Sequence, residues 1–332
     1  MFAKNIGIDL GTANVLINVK GKGIVLNEPS IVAVDTETNK VIAVGEDAKE
    51  MLGRTPKKLQ AIKPMKDGVI ADFEITEIML NEFIKKVKGM NLFSRPKIII
   101  CCPTNITQVE KNAIKEAAER TGARKVYIEE EPKVAAIGAG MDISKPTANM
   151  VLDIGGGTTD IAVLSLNNIV SSTSLRIAGN TLDNNIIKYI KNKYKLLIGE
   201  ITAEDIKINF ANVYNPSKKE TREIKGRNLT TGLPDTIKIN QEEIKEALEE
   251  SVNKIIKATT EVLEDTPPEL SADIIDTGIV LTGGTSLLTG LRELIEEKIN
   301  VPVIIASEPL NCVAEGTGIL LNNIKQLEKD RW

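Results

Sequence analysis

The sequence predicts an α/β fold in two related halves, and two observations carry that expectation. One short pattern occurs twice, as IGIDLGTANVLI from Ile6 to Ile17 and as MVLDIGGGTTDIAVL from Met150 to Leu164. In each copy an apolar run of strand type reaches an Asp (Asp9, Asp153), passes a turn of Gly and Thr, and resumes as a second apolar strand. Each copy is therefore a β-hairpin with an acid near its tip. Around the copies, strand-like runs alternate with amphipathic stretches, the order that builds mixed layers of sheet and helix. At 332 residues the chain exceeds one ordinary core and suits two domains or lobes.

Taken in order, Gly23 to Val44 continues as strands, GIVLNEPSIVAVD and KVIAVG, parted by a polar turn at Glu37 to Asn39. Asp47 to Arg54 reads as a helix that stops at Thr55-Pro56. Glu74 to Lys88 is an amphipathic helix with Met79, Leu80, Phe83, Ile84 and Val87 on one stripe. Lys97 to Cys102 is a buried strand closed by Pro103, and a helix follows from Thr104 to Arg120. KVYIEEEPKVAAIGAGM gives a short strand, an acidic turn at Glu129 to Glu131, and a small-residue helix led by Pro132 and running through Gly138. Beyond the second hairpin, Ile186 to Leu197 and Ala203 to Phe210 read as helices, Pro216 to Asp235 as an exposed, turn-rich strand region, and Gln241 to Glu264 as a long helix. Ile279 to Leu288, IVLTGGTSLL, is a strand, a Gly-Gly turn, Thr285 and Ser286 as candidate N-caps, and a helix beginning near Leu287.

Composition narrows the chemistry. A net charge of -4 and a pI near 5.4 argue against a nucleic-acid binder, whose footprint is a basic excess. The chain has no histidine, which removes Ser-His-Asp hydrolysis, His general acid–base catalysis and His metal ligation together. Carboxylates, hydroxyls and a hard cation remain. Cys101, Cys102 and Cys312 lack metal or redox spacing and read as buried thiols of a reducing cytosol. No stretch approaches the roughly 20 apolar residues of a membrane span, so any membrane contact is expected to be peripheral.

The turns point to an anion. Glycines let backbone N–H groups converge, Thr hydroxyls add donors, and a carboxylate at a strand end can hold a hydrated Mg²⁺. Singly, Asp9 or Asp153 reads equally as an Asx-turn acceptor, and a lone Gly-Gly turn as a tight connection; the duplication favours two tips enclosing a metal-bound polyphosphate. Glu131 is either one of a solvated acidic run or the carboxylate that orients an attacking water, with Thr158 touching that water or a phosphate. Glu204 and Lys207, at i and i+3, make either a surface ion pair or a contact to ribose hydroxyls. Met90, Leu92 and Phe93, among Lys85, Lys86, Lys88, Arg95 and Lys97, either tuck into the core or insert shallowly into an anionic membrane, with Met1 and Phe2 as a second small anchor.

Taken together, IGIDLGTANVLI, NEPSIVAV, IKPMKDGVIADF, IEEEPKVAAIGAG, VLDIGGGTTDIAVLSL, IAGNTLDNNII, TTGLPDTI, EDTPPELSADIIDTGIVLTGGTSLL and EPLNCVAEGTGILL make the chain resemble, almost end to end, the MreB family of bacterial actins, within the superfamily of actin, Hsp70 and sugar kinases. The resemblance implies an actin-like ATPase fold of two lobes, each on a duplicated RNase H-like mixed sheet with helices, and four subdomains. Lobe I would span 1–145, with a small subdomain at about 33–66 and the C-terminal helix 313–332 returning to it; lobe II would span 146–312, with a small subdomain at about 180–245. It implies ATP or ADP with Mg²⁺ in the cleft, hydrolysis coupled to homopolymeric filaments, and a cytoplasmic location on the inner face of the cytoplasmic membrane, with other cell-shape proteins as further partners and no nucleic acid. By matching motif, Gly11, Thr12, Ala13 and Asn14 form the first phosphate loop and Gly155, Gly156, Gly157 and Thr158 the second. Asp9 and Asp153 hold Mg²⁺ through water, and Asp153 counts with Glu131 and Thr158 as catalytic. Glu204 and Lys207 take the ribose, Gly283, Gly284, Thr285, Ser286 and Leu287 form the nucleotide edge, and Leu92 and Phe93 meet the membrane.

Three positions depart from the family pattern. Thr285 replaces a third glycine and puts a Cβ where backbone meets ligand, Asp160 stands where Glu is frequent, and Lys133 adds a positive charge beside Glu131 that is expected to slow hydrolysis. Two other functions compete: a small-molecule kinase of the same superfamily, for which no sugar-binding insert or extra Asp base stands between the hairpins, and an ATP-binding structural actin with little hydrolysis.

Overall fold

The duplicated hairpins sit at the centres of two five-stranded sheets of identical topology. The structure, a computed structural model, describes residues 5–56, 58–88, 95–104 and 106–324. The chain first runs through β1 (Ile6–Leu10), β2 (Asn14–Val19), β3 (Gly23–Pro29), β4 (Val32–Asp35), β5 (Val41–Val44), α1 (Glu46–Lys49), β6 (Leu59–Ile62), β7 (Met65–Lys66), β8 (Val69–Ile70), α2 (Phe73–Lys88), β9 (Lys97–Cys102), α3 (Gln108–Arg120), β10 (Lys125–Glu130) and α4 (Glu131–Gly138). It continues through β11 (Asn149–Ile154), β12 (Thr159–Ser165), β13 (Asn168–Leu175), α5 (Gly179–Tyr194), β14 (Leu196–Leu197), α6 (Glu200–Asn209), β15 (Thr221–Asn228), β16 (Pro234–Asn240), α7 (Gln241–Glu264), α8 (Pro268–Thr277), β17 (Ile279–Thr282), a 3₁₀ turn at Gly284–Leu287, α9 (Leu291–Ile299), β18 (Val303–Ile305) and α10 (Cys312–Asn322).

The first sheet is ordered β10-β9-β1-β2-β3 and the second β13-β12-β11-β17-β18. In both, the hairpin and its next strand pair antiparallel, while the acid-bearing strand pairs parallel on its other side, with β9 or with β17. Strands buried on both faces read as continuous apolar runs, and Ile98, Ile99 and Ile100 of β9 are fully buried. The predicted stripe of α2 is the buried one: Met79, Leu80, Phe83 and Ile84 all face the core. Two small antiparallel sheets, β5-β4-β6 and β14-β15-β16, flank the large ones.

Helices α4 and α10 fill the seam between the sheets, in a cluster that joins Val134 and Ala135 of α4 to Val151 and Ala162 of the second sheet and Val313 of α10. Their backbones touch. A Cβ added to Gly138 would stand 1.8 Å from the Cys312 carbonyl oxygen, and one on Gly316 would stand 2.0 Å from that of Val134. α10 also lies on β1 and β2, where Gly7 leaves room for Thr317.

Several boundaries differ from the sequence reading. The helix expected from Thr104 starts at Gln108, because Thr107 and Glu110 close a reciprocal capping box there. The expected acidic turn is absent: Glu129 and Glu130 stay in β10, paired with Cys101 and Cys102, and α4 begins at Glu131 directly. α5 begins at Gly179 rather than Ile186, since the amides of Gly179 and Asn180 are fixed by carbonyls of the second hairpin tip. After the Gly-Gly turn the chain makes a 3₁₀ turn, and the α-helix waits until Leu291, so Thr285 and Ser286 are not its N-caps.

Candidate functional site

The two hairpin tips meet face to face. A Cβ on Gly156 would lie 2.6 Å from that of Ala13, and one on Gly157 would lie 2.3 Å from Thr12 Oγ1, so only glycine permits this approach. Ser30 Oγ donates to the Gly11 carbonyl at 2.6 Å, and Thr12 Oγ1 accepts from the Gly68 amide at 2.9 Å. Within the second tip, the Gly155 amide donates to the Thr158 carbonyl at 2.9 Å. Its outward carbonyls are held by the start of α5: Gly179 N–H reaches Gly155 O at 3.2 Å and Asn180 N–H reaches Gly156 O at 2.8 Å. Thr285 Oγ1 donates to the same Gly155 oxygen at 2.8 Å. The side chain that departs from the family pattern is therefore buried against the tip as a tie between segments.

Behind the tips four carboxylates converge, Asp9, Glu131, Asp153 and Asp160. Burial first, then the charge of Asp153, pushes Asp9 up to about 7. Asp153 is likewise pushed up to about 7, mainly by burial and against the lowering effect of Thr282 Oγ1, which donates to its Oδ1 at 2.8 Å. Burial and the charges of Asp160, Asp9 and Asp153 hold Glu131 well above the usual carboxylate range. Asp160 is raised by burial, although the Thr104 amide donates to it at 3.1 Å. Glu131 is thus buried and is not part of a solvated turn. Lys133 lies two residues further along the same helix, a spacing that points the two side chains in different directions.

Acids whose ionisation is suppressed by burial and by one another, set around anion-seeking glycine turns, fit a hydrated cation carrying phosphates. Among the described residues no group of three or more His, Cys, Asp or Glu could hold a metal on its own. Mg²⁺ retains several waters and uses one or two carboxylates with substrate phosphates, so Asp9 and Asp153 fit it in that indirect way.

On the outer side of the second tip, Gly179 is the meeting point. A Cβ there would lie 2.8 Å from Thr285 Oγ1, 3.2 Å from Lys207 Nζ and 3.4 Å from Gly155 O. Lys207 is buried and makes no pair with Glu204; its Nζ donates to Gly179 O at 3.1 Å and to Asp183 Oδ2 at 2.9 Å. A cavity of about 270 Å³ opens beside this group, lined by Thr12, Asn14, Lys63, Asp183, Glu200 and Glu204 among others. Lys63 and Glu200 bridge its mouth at 2.7 Å. Two larger depressions, of about 350 and 450 Å³, follow α7 and hold none of the tip residues.

The structure brings together Asp9, Thr12, Ala13, Glu131, Asp153, Gly155, Gly156, Gly157 and Thr158 at the tips, with Lys207 and Thr285 against the second tip. Ser286 turns inward, its Oγ donating to Gly283 O at 2.6 Å, whereas Leu287 is 52% exposed. Leu92 and Phe93, like Met1 and Phe2, lie outside the described residues. Sequence reasoning missed Asp183, the partner of Lys207, because nothing in GNTLDNNII marks one polar residue above its neighbours.

Two mixed sheets of one topology, closing on a shared acidic cleft, define the actin-like fold. A profile of the MreB/Mbl protein family matches residues 3–329, and the chain belongs to that family. It is 61% identical over 329 residues to the cell shape-determining protein Mbl of Bacillus subtilis, covering 99% of each chain. It is 51% identical over 330 residues to the cell shape-determining protein MreB of Escherichia coli, covering 98% of this chain and 95% of that one. Among solved structures, MreB 5 of Spiroplasma citri bound to AMPPNP superposes with a TM-score of 0.93 at 40% identity over the whole of both chains. The MamK double helical filament shares the fold, with a TM-score of 0.81 at 22% identity, over 96% of this chain and 98% of that one.

Proposed function

We propose that the chain binds ATP with Mg²⁺ between the hairpin tips, hydrolyses it to ADP and phosphate, and assembles with itself into nucleotide-dependent filaments on the inner face of the cytoplasmic membrane, where they serve cell shape together with other shape proteins. The observation that carries this reading is the face-to-face contact of the two tips over the buried set Asp9, Glu131 and Asp153. The crystal structures of MreB 5 bound to AMPPNP and to ADP, and the shape-determining relatives, support it. The division into lobe I (1–145, with 33–66 and 313–332) and lobe II (146–312, with 180–245) belongs to the same proposal.

Each residue then has a task. The loops Gly11–Asn14 and Gly155–Thr158 bind phosphate oxygens from opposite sides, the second through amides other than that of Gly155, which is held by the Thr158 carbonyl. Asp9 and Asp153 would hold Mg²⁺ through its waters. Mg²⁺, when bound, supplies the charge that neutralises the phosphates and draws the acids to their ionised forms. Glu131 orients the attacking water and accepts its proton, assisted by Thr158.

The test follows phosphate release and pelleting together at rising protein concentration. Both signals should appear above a critical concentration. A kinase would show neither without an acceptor, and a structural actin would pellet without releasing phosphate. Glu131→Ala should keep nucleotide binding and pelleting while lowering phosphate release by roughly 10²-fold or more, the range for a positioned acid–base group. Unchanged turnover would remove Glu131 from that role.

A further inference from the structure

Asp183 sits on α5, and its two carboxylate oxygens are treated unequally. The residue is 8% exposed. Oδ2 takes the Lys207 ammonium at 2.9 Å, while Oδ1 is buried without a hydrogen-bond partner, the one such side-chain oxygen or nitrogen among the described residues. A buried acceptor stripped of water and left unpaired is costly, so native proteins leave few of them, and each calls for a donor from somewhere.

None of the neighbouring groups donates to that oxygen. Lys207 Nζ is engaged by Gly179 O and by the other oxygen of the same carboxylate. Thr285 Oγ1 is committed to Gly155 O. Glu204, three residues before Lys207 on α6, is a second acceptor. Asp183 and Glu204 line the same cavity of about 270 Å³, which reaches from Thr12 and Asn14 of the first tip to α6. Two carboxylates on adjacent helices, lining one cavity and one of them with a buried oxygen lacking a donor, suit a ligand that presents two neighbouring hydroxyls.

We infer that Asp183 is a sugar-discriminating residue of the nucleotide site: its free Oδ1 accepts one hydroxyl of a ribose, Glu204 accepts the other, and Lys207 holds the Asp183 carboxylate in position. The inference rests on the nucleotide reading above and adds to it a residue and a selectivity for ribose over deoxyribose. A hydrogen bond from a hydroxyl to a charged acceptor is among the stronger kinds, and a site built around it rejects an analogue that leaves the acceptor empty.

Equilibrium titration of the full chain with ADP, 2′-deoxy-ADP and 3′-deoxy-ADP, in the presence of Mg²⁺ and below the assembly concentration, tests it without turnover. The wild type should prefer ADP to at least one deoxy form by about tenfold or more. Asp183→Asn keeps an oxygen for Lys207 but puts an N–H₂ where the free acceptor was, so that preference should shrink to within about threefold while the ADP to GDP ratio stays unchanged. A purely structural Asp183 would weaken all nucleotides alike and leave the ribose preference intact, which overturns the inference. Equal binding of ADP and both deoxy forms by the wild type overturns it without any variant. Absence of binding for every nucleotide fails the nucleotide reading itself.

Discussion

Asp9 and Asp153 hold their protons to about 7 in the folded chain, against an ordinary value of 3.8. Between those values the folded state binds more protons than the unfolded one, so stability of the nucleotide-free chain falls as pH rises from about 4 to about 7 and levels off above. Carboxylates with lowered values, such as Asp35 and Glu110, act oppositely, but their support is lost only as pH falls below ordinary values of 3.8 and 4.5. The window from pH 5 to 7 therefore belongs to the buried cluster. The Tm of the nucleotide-free protein should decline across it, and Asp153→Asn should flatten the decline while weakening Mg²⁺-dependent nucleotide binding. A Tm that rises across that window would contradict the burial of these acids. The duplicated acids were legible in the sequence because repetition lifted them above the ordinary turn role of Asp. Asp183 and the tie from Thr285 to Gly155 were not, since both depend on segments brought together only by the tertiary fold.

The elements were most legible where the pattern is local. β9 and α7 fall where apolar runs and periodicity put them, while α1 ends at Lys49, short of the expected Arg54. α4 shows what a boundary can hide: with no intervening turn, Glu131 becomes its first residue, and the helix rather than a loop fixes the acid. That helix is in turn fixed by α10 through Gly138 and Gly316. Gly316→Ala pushes a methyl into the Val134 backbone carbonyl, which has no rotamer to yield, and should destabilise the chain by about 2 to 3 kcal/mol, the upper part of the usual overpacking range. Since relief must come by moving α4, phosphate release should drop more than nucleotide affinity. Gly199→Ala, where an added Cβ meets nothing within 4 Å, serves as the control. Equal stability of the two variants in urea unfolding would refute the backbone contact.

Across the whole molecule, ion pairs span the cleft. Lys63 meets Glu200 at 2.7 Å and Arg176 approaches Glu110 at 3.7 Å. Exposed pairs of this kind contribute about 0–1 kcal/mol each, so they add little to holding the two sheets together. No helix among the described residues is long and apolar enough to cross a membrane. Leu92 and Phe93 lie outside the described residues, and the membrane role proposed for them rests on the sequence, where they stand among Lys85, Lys86, Arg95 and Lys97. Fully burying both would yield roughly 1.5 to 3 kcal/mol per side chain, too little to hold one protomer firmly. A filament repeats the anchor, and linked weak sites become a stable attachment. The double change Leu92→Ser with Phe93→Ser should therefore abolish co-sedimentation with anionic liposomes while leaving phosphate release and liposome-free pelleting intact. Retained binding that disappears in high salt would make the attachment electrostatic, through the lysines, and retained binding insensitive to salt would move the anchor to Met1 and Phe2.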